Sequence, residues 1–224
     1  MSLGSEIKQI TQYSFITLYF FIIDKIQIGK LFNLTPLIPV FKIGICNAWI
    51  FMSVFLLQML AILFINKRVW ERSHIPIEAR RNKFERYISI IGNLFWLLAM
   101  GYSVFLPLQF GTIWFFIGLF VFIIGLTLMA IATYNFITTP TDQLIIKGVY
   151  KFSRHPMYLA TFFICVGSGI ATISWLFILF SIMMAFCFYQ EALIEERYLI
   201  DKFGDEYLEY QSNVRAVFPK LWGK

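Results

Sequence analysis

Several apolar runs in this chain are each long enough to cross a bilayer as a helix, and that limits what the chain can fold into. Residues 43–65, 87–108 and 112–134 each approach or exceed 20 residues with few or no charges, the length that spans a ~30 Å hydrocarbon core at 1.5 Å per residue. Residues 157–190 are too long for one span and too short for two spans joined by a loop. The GSGIATIS stretch breaks them near Ile173, so they read as a helical hairpin with short or tilted arms. Pro107 and Gly111 supply a tight turn between the second and third runs. The expected fold is an all-α, polytopic helical membrane protein. It has five transmembrane helices, or six if the apolar stretch 9–23 also crosses, followed by short amphipathic C-terminal helices. Composition agrees, since 14% of residues are charged and 59% hydrophobic, against about a quarter charged in soluble domains.

Basic residues orient the spans. Lys67, Arg68, Arg72, Arg80, Arg81, Lys83 and Arg86 crowd the 66–86 loop, while Lys147, Lys151 and Arg154 fall in the 135–157 connection. The turns at 109–111 and 171–174 carry none. The positive-inside rule then places the basic segments, and nearly every polar residue after 65, on the cytoplasmic side. The net charge of +6 is accounted for by these loops, and no basic stripe with interleaved aromatics points to nucleic acid. Cys46, Cys165 and Cys187 lie in apolar stretches without metal-ligand or disulfide spacing, so they read as small core residues and no metal is expected. The polar start MSLGSEIKQI is followed by a run without a small-residue cleavage site, so no cleavable signal peptide is expected. Three parts result: an N-terminal extension (1–42), three spans (43–134) and a C-terminal region (135–224).

Candidate chemistry concentrates in that last part. Arg154 and His155 stand immediately before the hairpin, and Glu191, Glu195 and Glu196 lie along its second arm. Ionisable residues at membrane depth are costly and need partners. With a fold at Ile173, His155 and Glu191 are each 18 residues from the turn, which predicts similar depth, and Glu191 and Glu195 share a helix face at i, i+4. On spacing alone a blander reading is open. Arg154 would anchor headgroups, Tyr150 and Tyr158 would join an interfacial belt, and His155-Pro156 would only start a helix. Beyond Glu196, Leu199, Phe203, Tyr207 and Tyr210 follow helical spacing, interrupted at Gly204, which predicts two short surface helices with a stop at Phe203-Gly204 and an N-cap at Asp205.

The ordered set Gly148-x-Tyr150, Arg154-His155-Pro156-x-Tyr158, Glu195-Glu196 and Phe203-Gly204-x-x-Tyr207-x-x-Tyr210 resembles the C-terminal signature of the integral-membrane methyltransferases. That group includes the isoprenylcysteine carboxyl methyltransferases and phospholipid methyltransferases. The resemblance covers residues 139–219 and implies an S-adenosyl-L-methionine-dependent enzyme acting on a lipid or lipophilic acceptor. It further implies cofactor contacts from Asp142, Gln143, Leu144, Ile145, Tyr150, His155, Pro156, Met157, Tyr158 and Glu195. Arg154, Glu191 and Glu196 are then the residues expected to act on the acceptor. Histidine suits the cofactor's carboxylate, a carboxylate its ammonium, and an aromatic face its sulfonium. One departure is informative. Glu191 occupies the position where the carboxyl methyltransferases carry an arginine, which disfavours a prenylcysteine carboxylate and suits an amine or neutral acceptor. Sterol reductases share a similar C-terminal arrangement, so an NADPH-dependent membrane reductase is one alternative, and a non-enzymatic membrane protein is another. The expected location is the cell membrane in a microbe or the endoplasmic reticulum in a eukaryote.

Overall fold

The computed structural model describes residues 42–65, 82–140 and 142–217, which fall within one compact unit, 38–224. The stretch 9–23 and most of the basic 66–86 loop lie outside the described residues. Secondary structure among the described residues is helical: α1 (Trp49–Ile65), α2 (Lys83–Ser103), α3 (Ile113–Ile137), a 3-10 turn (Gly148–Lys151), α4 (Pro156–Ala171), α5 (Trp175–Phe203) and α6 (Asp205–Asn213). Two of these, α3 with mean hydropathy 2.7 and α5 with 1.8, are long and apolar enough to cross a membrane, while α4 and the first turns of α1 are shorter apolar helices.

Local chemistry sets the helix ends. α2 opens with a capping box: the Asn82 side chain accepts from the Glu85 amide at 2.8 Å, and the Glu85 carboxylate accepts from the Asn82 amide at 3.0 Å. This satisfies two of the amide donors that a helix start leaves open. The Thr112 and Ser174 hydroxyls cap α3 and α5 by accepting from the amides of Phe115 and Phe177, without a return bond. Pro156 occupies the first turn of α4, where its missing N–H costs nothing. The turn between α4 and α5 is three residues long, and Ile173 takes a φ of +53° there, a conformation rare for a β-branched residue.

The turn expected at 109–111 is longer in the structure, spanning 104–112 between α2 and α3, and contains Gly111 at φ +77°. Its other residue, Pro107, is paired in an isolated bridge with Asn47, whose buried amide donates to the carbonyls of Lys42 at 2.6 Å and Val104 at 2.7 Å. The segment before α1 is thereby tied to the end of α2. Three expectations need correction. Cys46 is exposed in that segment, whereas Cys165 and Cys187 are buried. The first of the two predicted short surface helices is the final two turns of α5, which runs unbroken for 29 residues. No competing breaker lies between Trp175 and Gly204, so propagation wins over nucleating a separate helix. Asp205 is the first residue of α6 and not its N-cap, which is Gly204.

The closest packing is between α3 and α4, where glycines replace side chains. A Cβ on Gly118 would lie 2.3 Å from the Ala171 amide nitrogen, one on Gly125 2.7 Å from that of Ile164, and one on Gly167 2.5 Å from that of Phe122. These backbones touch, as in membrane helix pairs whose interface is built from small residues. Phe122 reaches across to stack on Phe51 of α1 at 4.2 Å, and the core continues through Met52, Ile164, Cys165, Phe177 and Met184.

Gly125→Val should therefore force α3 and α4 apart and lower the thermal midpoint in detergent by several degrees or prevent folding. Gly101→Ala, whose new methyl meets nothing within 4 Å, should be neutral or slightly stabilising, since alanine is favoured over glycine in a helix by roughly 0.5–1 kcal/mol. Thermal aggregation assays of both variants check the pair.

Candidate active site

The helical hairpin brings the two halves of the polar signature together. Glu195 is 20 residues beyond the start of α5, roughly 30 Å along the axis from the hairpin tip, so the cluster sits one hydrocarbon thickness from the turn. His155, buried to 7% exposure, is the N-cap residue of α4. Its Nε2 lies 3.2 Å from Glu196 Oε1 and its Nδ1 lies 3.3 Å from Glu195 Oε2. Both partners are about one turn farther along α5 than Glu191, the residue expected at this depth. The reason is side-chain direction, because Cβ atoms tilt toward a helix's own N-terminus. Side chains on α5 lean toward the hairpin tip, and the residue before α4 leans away from it, so pairing shifts by about a turn.

Glu196 is the centre of a buried network. At 3% exposure it accepts from Arg154 Nε at 2.8 Å and Nη2 at 2.7 Å, and from Gln211 Nε2 at 2.9 Å. Arg154 Nη1 also donates to the carbonyls of Gln211, at 3.0 Å, and of Val214. Ser153 Oγ and the amides of Arg154 and His155 then hold the carbonyls of residues 215–217. The chain after α6 is thus strapped against the start of α4.

Glu195 differs. Its side chain is 32% exposed, and its Oε1 accepts from the Tyr158 hydroxyl at 2.5 Å. Tyr158 lies between two rings, His155 at 5.7 Å and Phe188 at 5.2 Å, so the carboxylate, phenol and imidazole are mutually fixed. Glu191 is half-buried one turn nearer the tip. Tyr150 is buried in the 3-10 turn and its carbonyl accepts from the Tyr210 hydroxyl at 2.6 Å. Pro156 is buried and Met157 half-buried against the core. In the connection, Leu144 is buried, Ile145 half-buried, and Asp142 and Gln143 exposed.

Burial alone would lower the pKa of His155. Hydrogen bonds donated to Glu195 and Glu196, and then their charges, outweigh it and leave the value raised above 6.5. Both ring nitrogens face carboxylates, which only the doubly protonated imidazolium can satisfy. Tyr207, buried to 1%, is also pushed up, first by burial and then by the charge of Glu196. Two contacts carried no sequence signal of their own. Gln211 joins the network from the face of α6 that also bears Tyr207, and Arg197 pairs with Glu85 of α2 at 2.6 Å.

Residues 106–206, from the end of α2 to the start of α6, match the phospholipid methyltransferase family. That segment of the chain is similar to the integral-membrane methyltransferases. Protein-S-isoprenylcysteine O-methyltransferase of Saccharomyces cerevisiae is 35% identical over 81 residues, 35% of this chain and 34% of that protein. The Homo sapiens protein of the same name is 31% identical over 84 residues, 37% of this chain and 30% of the relative. Methanethiol S-methyltransferase 1 of Bradyrhizobium diazoefficiens is 37% identical over 71 residues, 32% of this chain and 24% of the relative. The similarity thus spans about a third or less of each relative's length.

Arg154→Ala should cost about 3–5 kcal/mol, because it strands a buried carboxylate, and adding Glu196→Gln should recover most of that loss. Denaturant titration in detergent checks both. His155 gives a signed pH dependence. Its folded pKa is raised above the ordinary 6.5, so its stabilisation is complete below pH 6.5 and is lost as pH rises through the folded value. The stability gap between the parent and His155→Gln should be largest in mild acid and shrink on the alkaline side.

Proposed function

We propose that the chain transfers a methyl group from S-adenosyl-L-methionine to a lipophilic acceptor, at a site on the cytoplasmic face of a protein in which α1 to α5 cross the membrane. The observation that supports this most directly is the fixed Tyr158-Glu195-His155 group, at positions where the resemblance implies cofactor contacts. Its chemistry fits that cofactor. Glu195 is the accessible carboxylate of the group and retains lone pairs for an ammonium. Tyr158, flanked by the rings of His155 and Phe188, serves by fixing Glu195 through its hydroxyl and not by offering a ring face, and Tyr150, Pro156, Met157 and residues 142–145 complete the cofactor-holding set. Bound there, S-adenosyl-L-methionine would supply an electrophilic methyl group.

The chain's own task is then alignment and exclusion of water, which dominate in a displacement of this kind. Arg154 and Glu196 neutralise each other, so we assign them to positioning: they hold His155 and the strap that closes this end of the hairpin. Glu191, half-buried on the same face as Glu195, is the carboxylate we assign to the acceptor, as the base that accepts a proton from an ammonium before attack. The relatives are named for O-methyl and S-methyl transfer, which supports reading the shared segment as the methyl-donor side. For this chain an anionic Glu191 argues against a carboxylate acceptor and for an amine or neutral one.

Calorimetric titration of the detergent-purified protein with S-adenosylhomocysteine tests the reading. Binding is expected in the parent and should fall by at least about tenfold in His155→Ala and Glu195→Ala, a loss of about 1.4 kcal/mol or more. Glu191→Gln should leave that binding intact while lowering the transfer rate to an amine acceptor. A folded parent that binds no S-adenosylhomocysteine would sink the proposal.

A further inference from the structure

The 3-10 turn Gly148–Lys151 is held by two helices that are far apart in the sequence. Gly148, at φ +58°, comes so close to α3 that a Cβ there would lie 2.1 Å from Asn135 Nδ2. From α6, the Tyr210 hydroxyl donates to the Tyr150 carbonyl at 2.6 Å. The backbone bonds of the turn are short-range, from the amides of Tyr150, Phe152 and Ser153 to the carbonyls of Lys147 and Val149. They shape the turn without fixing where it sits. Asn135 limits how closely the turn approaches α3, and the Tyr210 bond ties it to α6. The next residue of α6 reaches a different element, since Gln211 Nε2 donates to Glu196 Oε2 on α5 at 2.9 Å. Two adjacent residues of one short helix therefore bridge the turn that carries Tyr150 and the arm that carries Glu195 and Glu196. Burial pushes the Tyr210 hydroxyl up, so it keeps its proton and remains a donor at neutral pH. Tyr207 offers a contrast. Its ring packs against that of Tyr210 at 5.9 Å, but its buried hydroxyl has no hydrogen-bond partner among the described residues.

We infer that Tyr210 is a positioning residue for the methyl donor: its hydroxyl fixes the backbone of Tyr150, and α6 thereby sets the separation between that turn and the carboxylates of α5. The inference rests on the transfer reading above, in which Tyr150 and Glu195 hold one donor molecule from two elements. A ligand held in this way loses affinity when the two elements are free to move apart, because binding must then order them. Tyr210 acts through the main chain of residue 150, so its effect is felt only while a tyrosine side chain is there to be placed.

A double-mutant cycle tests this, read by calorimetric titration of the detergent-purified full chain with S-adenosylhomocysteine. Tyr210→Phe should weaken binding by about three- to tenfold, the worth of one neutral hydrogen bond. In a Tyr150→Leu background, which keeps apolar bulk but leaves no phenol to place, the same substitution should change affinity by less than about twofold. Tyr207→Phe, which removes a hydroxyl without a partner, should bind as the parent does. Hydrogen exchange of the unliganded protein gives a second readout: the amides of Tyr150, Phe152 and Ser153 should exchange faster in Tyr210→Phe, and those in the middle of α4 should not. Parent-like affinity in Tyr210→Phe, an equal loss in both backgrounds, or unchanged exchange in the turn would overturn the inference and leave the donor reading intact. A folded parent that binds no S-adenosylhomocysteine would overturn both.

Discussion

The polar end of this protein depends on one buried carboxylate. Glu196 lies on a helix that is otherwise apolar for most of its length, and a lone buried anion there would carry a desolvation penalty of several kcal/mol. The compensation comes from three residues at two places in the chain: Arg154 and His155 before α4, and Gln211 on α6. Each of these is in turn fixed by the requirement to face the carboxylate. Arg154 has donors to spare after binding Glu196 and directs them to the carbonyls of residues 211 and 214, which determines where the chain runs after α6. A single charge thus organises the loop before the hairpin, the far end of its second arm and the segment that closes over both. Exchanging the ion pair for apolar residues could be as stable, but it would leave the strap and the imidazole unplaced.

The network can be assembled only because the helices beneath it are positioned without polar contacts. In α3 and α4 the glycines let backbones meet, and the resulting close fit fixes where His155 emerges. Dispersion and packing, rather than burial from water, hold such pairs in a lipid setting. The division of labour is consistent along the hairpin: shape complementarity near the tip, electrostatics near the open end. Glu195 is the exception within the charged region, because its carboxylate remains a third exposed while its neighbour is sealed. Two adjacent glutamates on one helix therefore have different environments, one internal and structural, the other accessible beside Tyr158.

Much of this was legible in the sequence, and what was not has identifiable causes. Runs of apolar residues placed the helices 49–65, 83–103 and 113–137 with ends off by up to six residues, and the GSGIATIS break located the hairpin turn at Ile173. The pairing of His155 with a glutamate of the second arm also followed from spacing. The choice of partner did not, since counting residues from the turn gives the depth of Cα atoms, while ion pairs form between side-chain tips that lean in opposite directions on antiparallel helices. Gln211 was invisible because an amide that satisfies a buried carboxylate has no spacing rule of its own. The separate surface helix expected after Glu196 failed for another reason: amphipathic spacing marks a change of environment, and α5 changes environment without ending.

That last feature connects fold and chemistry. An arm of 29 residues is about 43 Å long at 1.5 Å per residue, well beyond a hydrocarbon core, while the 16-residue partner arm is about 24 Å. An unequal hairpin leaves the final turns of α5 without a companion from α4. The residues that fill this place are the loop 153–155, the strap after α6, and α2 through its Glu85 contact with Arg197. The result is a polar, partly enclosed region, bordered on one side by an apolar trough that opens to the outside of the bundle. On the proposed reading, a water-soluble methyl donor and a lipophilic acceptor need separate approaches to one place. The length difference between two adjacent helices is the simplest structural source of such a place, and here it is set by Gly204, where α5 ends, and by Pro156, where α4 begins.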